Sequence, residues 1–390
     1  MSRTSMASAL MLAVIAAASP AAMAQAPGFA DAAPASVSAQ PIEALATGLG
    51  VPWSIAFLPG GDMVVAEREG TLRVIRGDVL LNAPVGGVPK VKAAGQGGLL
   101  HVRPHPGFAD NALLYFTYAH PESGKNTLRL ARARYAPSAN GAALEDVDVL
   151  FTANAWRSTT AHYGGRFVFQ SDGTLLLTSG DGYSYREQAQ TLDTHFGKVL
   201  RLTADGKAAP GNPFEGKAGA LPEIWSFGHR NPQGITIAPD GTVYVSEHGP
   251  KGGDEVNVIT PGSNYGWPIA CYCVDYSGAQ ITPYTALEGT RQPLYYWRPS
   301  IAPGNLDYVT SSAFPQLKGR LIAAGLASQD VRVADPMSPS APQISLLDKE
   351  DMRIRSVVEG PQGALYVLTE NWTDGDGAVL RIKPTATASR

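Results

Sequence analysis

The chain has 390 residues, 44% of them hydrophobic and 17% charged, with 31 Lys and Arg against 34 Asp and Glu for a formal charge of −3. So slight an acidic balance supplies neither the basic footprint of a nucleic-acid binder nor the polybasic patch of a membrane-surface protein. The length allows one large domain or two ordinary ones, with a core that needs no disulfides.

In chain order, the first segment reads as a secretory signal peptide spanning residues 1–24. Arg3 supplies the positive region, "ASALMLAVIAAAS" the short apolar core, and "AMA" the small residues before cleavage after Ala24. Export to the periplasm or beyond is therefore predicted. No later stretch offers the roughly 20 consecutive apolar residues of a membrane-spanning helix. Residues 25–45, rich in Ala, Pro, Ser and Gln, read as a flexible arm, residues 46–384 as the folded domain, and residues 385–390 as a tail.

Within the folded part, strand-like alternation dominates, Gly and Pro (42 and 30 in the whole chain) punctuate it, and no long stretch has helical periodicity. One pattern recurs: an apolar strand, a short turn with Gly, and a second apolar strand leading to polar residues. Clear copies begin at Ser54, Gly165, Gly234 and Ser356, and looser ones at Leu99 and Ser311. Six hairpins spaced by roughly 40–80 residues predict an all-β, six-bladed β-propeller, which protects sheet edges without a helix layer. The competing account is a two-domain β protein whose hairpins are alike by chance. In a propeller, the loops after the second strands ("GDGYSY", "EHGPKGG", "TENWTDGDG") converge on one pocket.

No G-x-S-x-G elbow, H-E-x-x-H, phosphate-binding loop or G-x-G-x-x-G is present. What remains are polar residues in Gly-rich settings. Gln96 sits in "AGQGGLLH". His162, in "AHYGGRF", is the natural proton acceptor near neutral pH, and its plainer reading is a hydrogen-bonded core or surface His. Arg230 and Asn231 in "GHRNPQG" offer donors that suit an anionic or quinone-like oxygen. Arg353 and Arg355 fall at i and i+2 on one strand face, where two guanidiniums repel unless an anion lies between them, which points to a multicarboxylate ligand. His101 and His105 have metal-like spacing, but Pro104 and Pro106 deny them a helix and they read as structural. In "EHGPKGGDEVNVITPGSNYGWP", residues 247–268, Gly249 and Pro250 can present carbonyls. Glu255 and Tyr265 can add side-chain or main-chain oxygens, so the loop suits a hard cation such as calcium. Cys271 and Cys273 form either a local disulfide or two free thiols; a metal site there lacks further ligands.

The segments "GQGGLLHVRPHPGF", "HYGGR", "HFGKVLRL", "IWSFGHRNPQG", "SEHGPKGGDEVN", "NYGWP" and "RIRSV" occur in the order seen in the soluble quinoprotein sugar dehydrogenases, the calcium- and pyrroloquinoline quinone (PQQ)-dependent glucose and aldose sugar dehydrogenases. The resemblance covers about residues 45–383 and implies the same six-bladed fold. It implies that His162 is the general base on the anomeric hydroxyl of an aldose sugar and that Arg230 stabilises charge on the quinone oxygen. By the same resemblance Asn231, Arg353 and Arg355 hold the cofactor, and Gln96 helps bind substrate. The carbonyls of Gly249 and Pro250 would bind the calcium that bridges to PQQ, with Glu255 and Tyr265 at a further, structural calcium. Two departures stand out. Ala161 replaces the Asp that precedes the base in glucose-type enzymes, which argues against glucose-type recognition. Ala327 replaces a cofactor-binding Lys, removing one cation. Two other readings fit a propeller: a calcium-dependent lactonase or esterase, which has no use for the paired arginines, and a non-catalytic binding module.

Overall fold

The computed structural model describes residues 25–30, 35–36, 41–372 and 376–384; the expected signal peptide and the tail lie outside them. Six small antiparallel sheets follow one another along the chain. The innermost strands are Pro52–Phe57, Leu99–Pro104, Gly164–Phe169, Pro232–Ile237, Pro303–Tyr308 and Ile354–Glu359, and each contacts the next in a closed ring. This is the six-bladed propeller that the hairpin repeat predicts. In five of the six copies the repeat coincides with the two inner strands of a blade. The copy in the fifth blade is offset: it begins at Ser311 in a connecting loop, and the true inner strand is Pro303–Tyr308. Its sequence, "PGNLDY", hides the alternation because Gly304 passes against the Arg355 backbone and Asn305 bonds the Val357 backbone, so buried positions here are not apolar.

The packing explains why the second strands read as unbroken apolar runs. Met63–Glu67, Leu175–Ser179, Val243–Glu247, Leu321–Gly325 and Leu365–Thr369 are buried at every position, since each sheet has a neighbour on both faces. Six of the apolar clusters lie between consecutive blades, one per interface, so the core is a ring of wedges and not a single centre.

The N-terminal stretch, where it is described, lies along sheet edges. Gly28–Ala30 pairs in parallel with Tyr296–Arg298 at the outer edge of the fourth blade, and Ala35–Ser36 pairs with the outer strand of the fifth. Ile42–Leu49 is the outer strand of the sixth blade, alongside Gly377–Ile382, and so starts before residue 46. Pairing to an open sheet edge uses backbone groups alone, so a polar, Ala- and Pro-rich segment can do it with no periodic signal.

Candidate active site

All the inner strands begin at one end of the ring, and the expected site residues gather there. Gln96 lies before Leu99–Pro104, His162 before Gly164–Phe169, Arg230 and Asn231 before Pro232–Ile237, and Arg353 and Arg355 at the start of Ile354–Glu359. The second strands deliver their polar ends to the same place. Asp181 N–H donates to the Arg230 carbonyl at 2.8 Å, His248 N–H to Asn231 at 3.2 Å, and Glu370 N–H to Arg353 at 3.0 Å.

His162 is held on every side. Its backbone is left-handed (φ 54°), a conformation that costs a non-Gly residue about 1 kcal/mol or more. The Gln96 side-chain oxygen accepts its N–H at 2.8 Å, and Arg157 donates to its carbonyl at 2.7 Å. Gly180 passes so close that a Cβ there would lie 2.3 Å from that carbonyl oxygen, so only Gly fits. The buried ring places Nδ1 2.7 Å from Asp181 Oδ1, and the other carboxylate oxygen accepts the Trp267 indole N–H at 2.8 Å. With Nδ1 donating, the lone pair sits on Nε2, which no hydrogen bond engages among the described residues. Burial pushes His162 below its ordinary value, helped by the charges of Arg230 and Arg157 and opposed by Asp181. Burial pushes Asp181 up, but its bond to His162 and the nearby charges of His162 and Arg230 outweigh it and keep the carboxylate below its usual range. A neutral imidazole oriented by an ionised carboxylate can accept a proton. Spacing does not single out Asp181; its only signal is an Asp between two glycines directly after an apolar strand.

Arg230 lies between the rings of Trp267 and Tyr276, 5.3 and 5.8 Å from their centroids. It faces a cleft of about 320 Å³ that is also lined by Tyr183, Glu187 and Pro250. Its backbone N–H donates to Glu247 at 2.7 Å. Its guanidinium donates to the carbonyls of His248 and Gly249 at 3.1 and 2.8 Å. The carbonyl expected to face a cation is therefore also an arginine acceptor, and only its second lone pair is left.

Below this loop lies a small space of about 20 Å³, lined in part by Glu247, Gly249, Glu255 and Tyr265. It is large enough for one water-sized occupant. Burial and the Glu247 carboxylate push Glu255 well above its usual range. Asn257 donates to both Glu247 and Glu255, while its own Oδ1 is buried without a partner. The two carboxylates that line the space are hard-cation donors. Tyr265 narrows the expectation: its hydroxyl donates to the Val258 carbonyl at 2.7 Å and accepts from Thr260 N–H at 2.8 Å, which leaves its main-chain oxygen as the candidate ligand. Among the described residues no three His, Cys, Asp or Glu side chains gather in metal-binding geometry; carbonyls would have to complete the shell.

The arginine pair has an internal partner. Arg353 and Arg355 do flank an anion, but it is the protein's own Glu370: Arg353 Nε donates to one oxygen at 2.8 Å and Arg355 Nε to the other at 2.7 Å. Glu370 follows a different strand from the pair and is invisible to i, i+2 reasoning. The trio keeps one net positive charge, with Arg353 exposed and Arg355 4.2 Å over the Trp53 ring. Asn231, by contrast, is buried, its side-chain oxygen accepting from Gln233 at 3.0 Å. Cys271 and Cys273 form a disulfide beside the loop, whose Gly253 packs against Tyr272 and Cys273. His101 and His105 accept backbone N–H groups of Phe167 and Gly107, the structural roles expected of them.

Comparison with known proteins gives a consistent picture. A family profile described as Glucose / Sorbosone dehydrogenase matches residues 49–381. The aldose sugar dehydrogenase YliI of Escherichia coli is 38% identical over 90% of this chain and 94% of its own length. The crystal structure of the soluble aldose sugar dehydrogenase from Escherichia coli in its apo form superposes with a TM-score of 0.83 at 36% identity, covering 88% of this chain and 99% of that one. The PQQ-bound aldose sugar dehydrogenase of Streptomyces coelicolor superposes with a TM-score of 0.72 at 28% identity, covering 90% and 99%.

Proposed function

The chain belongs to the glucose/sorbosone dehydrogenase family, and from that premise we propose that it is an exported, PQQ- and calcium-dependent dehydrogenase that oxidises the anomeric carbon of aldose sugars to lactones. It is a sugar oxidoreductase, as its relatives' names indicate. The observation that carries the finer reading is the Asp181–His162 pair, with its free Nε2 at the same end of the channel as Arg230.

The residues suit the proposed cofactors. Arg230, Asn231 and the net-positive Arg353–Arg355–Glu370 trio supply donors and charge for a tricarboxylate quinone. The carbonyls of Gly249 and Pro250 would hold the calcium next to it, and Glu255, with the Tyr265 carbonyl, a second one. When bound, the quinone supplies a two-electron acceptor for the hydride from the sugar's anomeric carbon, and calcium polarises it. His162 Nε2 takes the proton of the anomeric hydroxyl as that hydride leaves, so the sugar loses two electrons and two hydrogens and becomes the lactone. Asp181 keeps the imidazole in the accepting tautomer and stabilises it once protonated. Arg230 stabilises negative charge developing on the acceptor's oxygen. Gln96, which already grips the His162 backbone, has its amide N–H groups left for a sugar hydroxyl.

The test uses purified protein with calcium, PQQ, a series of aldoses and an electron-accepting dye. Dye reduction should need both calcium and quinone, and His162→Ala should bind PQQ yet reduce dye at least about 100-fold more slowly. Lactone turnover without quinone, or full activity in His162→Ala, would overturn the reading. N-terminal sequencing of exported protein should begin at Gln25.

A further inference from the structure

The opposite end of the central channel holds a second cavity, of about 510 Å³, with no part in the chemistry above. It opens where the inner strands end, and five of the six blades contribute to it. Phe57, Phe169 and Val358 give it apolar walls, and Arg103, Asp307 and Glu359 its charges. Arg166 divides it from the active-site end. That buried guanidinium donates to the carbonyls of Trp53, Gln233 and Gly304 at 2.9–3.0 Å and so ties three blades together across the axis.

The three charged groups at the rear are unequally satisfied. Asp307 accepts from Thr236 Oγ and Tyr308 N–H on one oxygen and from Glu359 N–H on the other. Glu359 accepts from Thr310 N–H and Oγ–H and from Ser311 N–H. All four carboxylate oxygens are engaged. Arg103 lies across the ring from Asp307 and feels its charge, yet among the described residues its guanidinium makes no hydrogen bond and no ion pair. It is half-buried, so water satisfies its five donors less well than at an open surface. Arg166, whose hydrogen-bond partners among the described residues are carbonyls, adds positive potential along the same axis.

We propose that this rear cavity is a binding site for a small monocarboxylate, whose two oxygens take the planar fork of Arg103 while its body packs on Phe57, Phe169 and Val358. A carboxylate matches the fork in a bidentate way that a single acceptor does not. The two acidic groups already present disfavour a dianion, which selects a carboxylate over phosphate near neutral pH. The volume is in the usual range for a small-molecule site. The site is independent of the proposed redox chemistry and stands or falls separately from it.

The test is titration calorimetry on the full chain at constant ionic strength, with benzoate, gluconate and inorganic phosphate as probes. One saturable site should appear with a monocarboxylate, and phosphate should bind more weakly. Arg103→Gln should weaken it at least about tenfold, as expected for loss of a charge-assisted pair, while Arg103→Lys retains part of the affinity. Arg353→Gln, at the other mouth, should leave it unchanged. Circular dichroism and sugar oxidation should match wild type in both Arg103 variants, which separates loss of the site from loss of the fold. Absence of saturable binding, equal affinity in Arg103→Gln, or loss of binding in Arg353→Gln instead would overturn the proposal.

Discussion

His162 Nδ1 lies 2.7 Å from Asp181 Oδ1, and the second oxygen of that carboxylate accepts the Trp267 indole N–H at 2.8 Å. The carboxylate is thus pinned from two sides, and its position decides which imidazole nitrogen carries the proton. Asp181→Asn presents an amide that satisfies one of these donors at most and removes the charge that steadies a protonated ring. We expect kcat to fall by about 10²–10⁴ with little change in KM, read by steady-state dye reduction. A fall in substrate affinity with kcat intact would instead make Asp181 a binding residue.

Acidity should act on the same pair with a definite sign. Burial, with the Arg230 and Arg157 charges, holds His162 below its ordinary 6.5, so the base is neutral at pH 7 and the rate should drop on an acid limb centred below that value. In Asp181→Asn the limb should move lower still, because the carboxylate is what raises His162. Stability follows the same direction. An unfolded His binds a proton at higher pH than this one does, so the contribution is present above about 6.5 and is lost as pH falls towards the folded value. Buried His195 is lowered for the same reason and adds to the trend. Melting temperatures recorded from pH 7.5 to 5 should therefore decline; a flat profile would remove the basis for a neutral buried base.

The contrast between Asp181 and His162 shows what the sequence makes legible. The propeller is readable because each blade repeats a local hairpin, and local patterns survive in one dimension. His162, Arg230 and the 247–268 loop stand out by residue type and by the glycines around them. Asp181, Glu370 and Glu247 do not, since each matters through a partner on another strand or blade: His162 19 positions away, Arg355 15 away, Arg230 17 away. The edge strands at Gly28–Ala30 and Ala35–Ser36 leave no trace either, because they pair through backbone groups.

The acidic pair in the small cavity gives a prediction whose sign depends on the metal. Glu255 is pushed up by burial and by Glu247, so in the metal-free protein its charge is a burden. Glu255→Gln relieves that repulsion and should raise the metal-free melting temperature by a few degrees, since about 1 kcal/mol corresponds to roughly 2–4 °C in a large domain. The same change should abolish most of the stabilisation that calcium gives the wild type. Melts with chelator and with excess calcium measure both effects. A variant that melts lower without metal and still gains fully from calcium would place the cation elsewhere.

Glu370 leads to a prediction of the opposite kind. It joins Arg353 and Arg355 through separate oxygens, and Arg355 is buried against Trp53. Removing one partner of such a buried set leaves the remaining charge without compensation, at about 3 kcal/mol or more. Glu370→Gln should therefore melt well below wild type. It also leaves two guanidiniums on one strand face with no internal anion, the arrangement that suits a multicarboxylate ligand. Added PQQ should then raise the variant's melting temperature by more than it raises that of wild type, because the ligand replaces a lost charge as well as binding. The readout is thermal stability, so it does not rely on turnover. If PQQ stabilises both proteins equally, the arginine pair lies outside the cofactor's reach, and its role is to brace the mouth of the sixth blade's inner hairpin through Glu370.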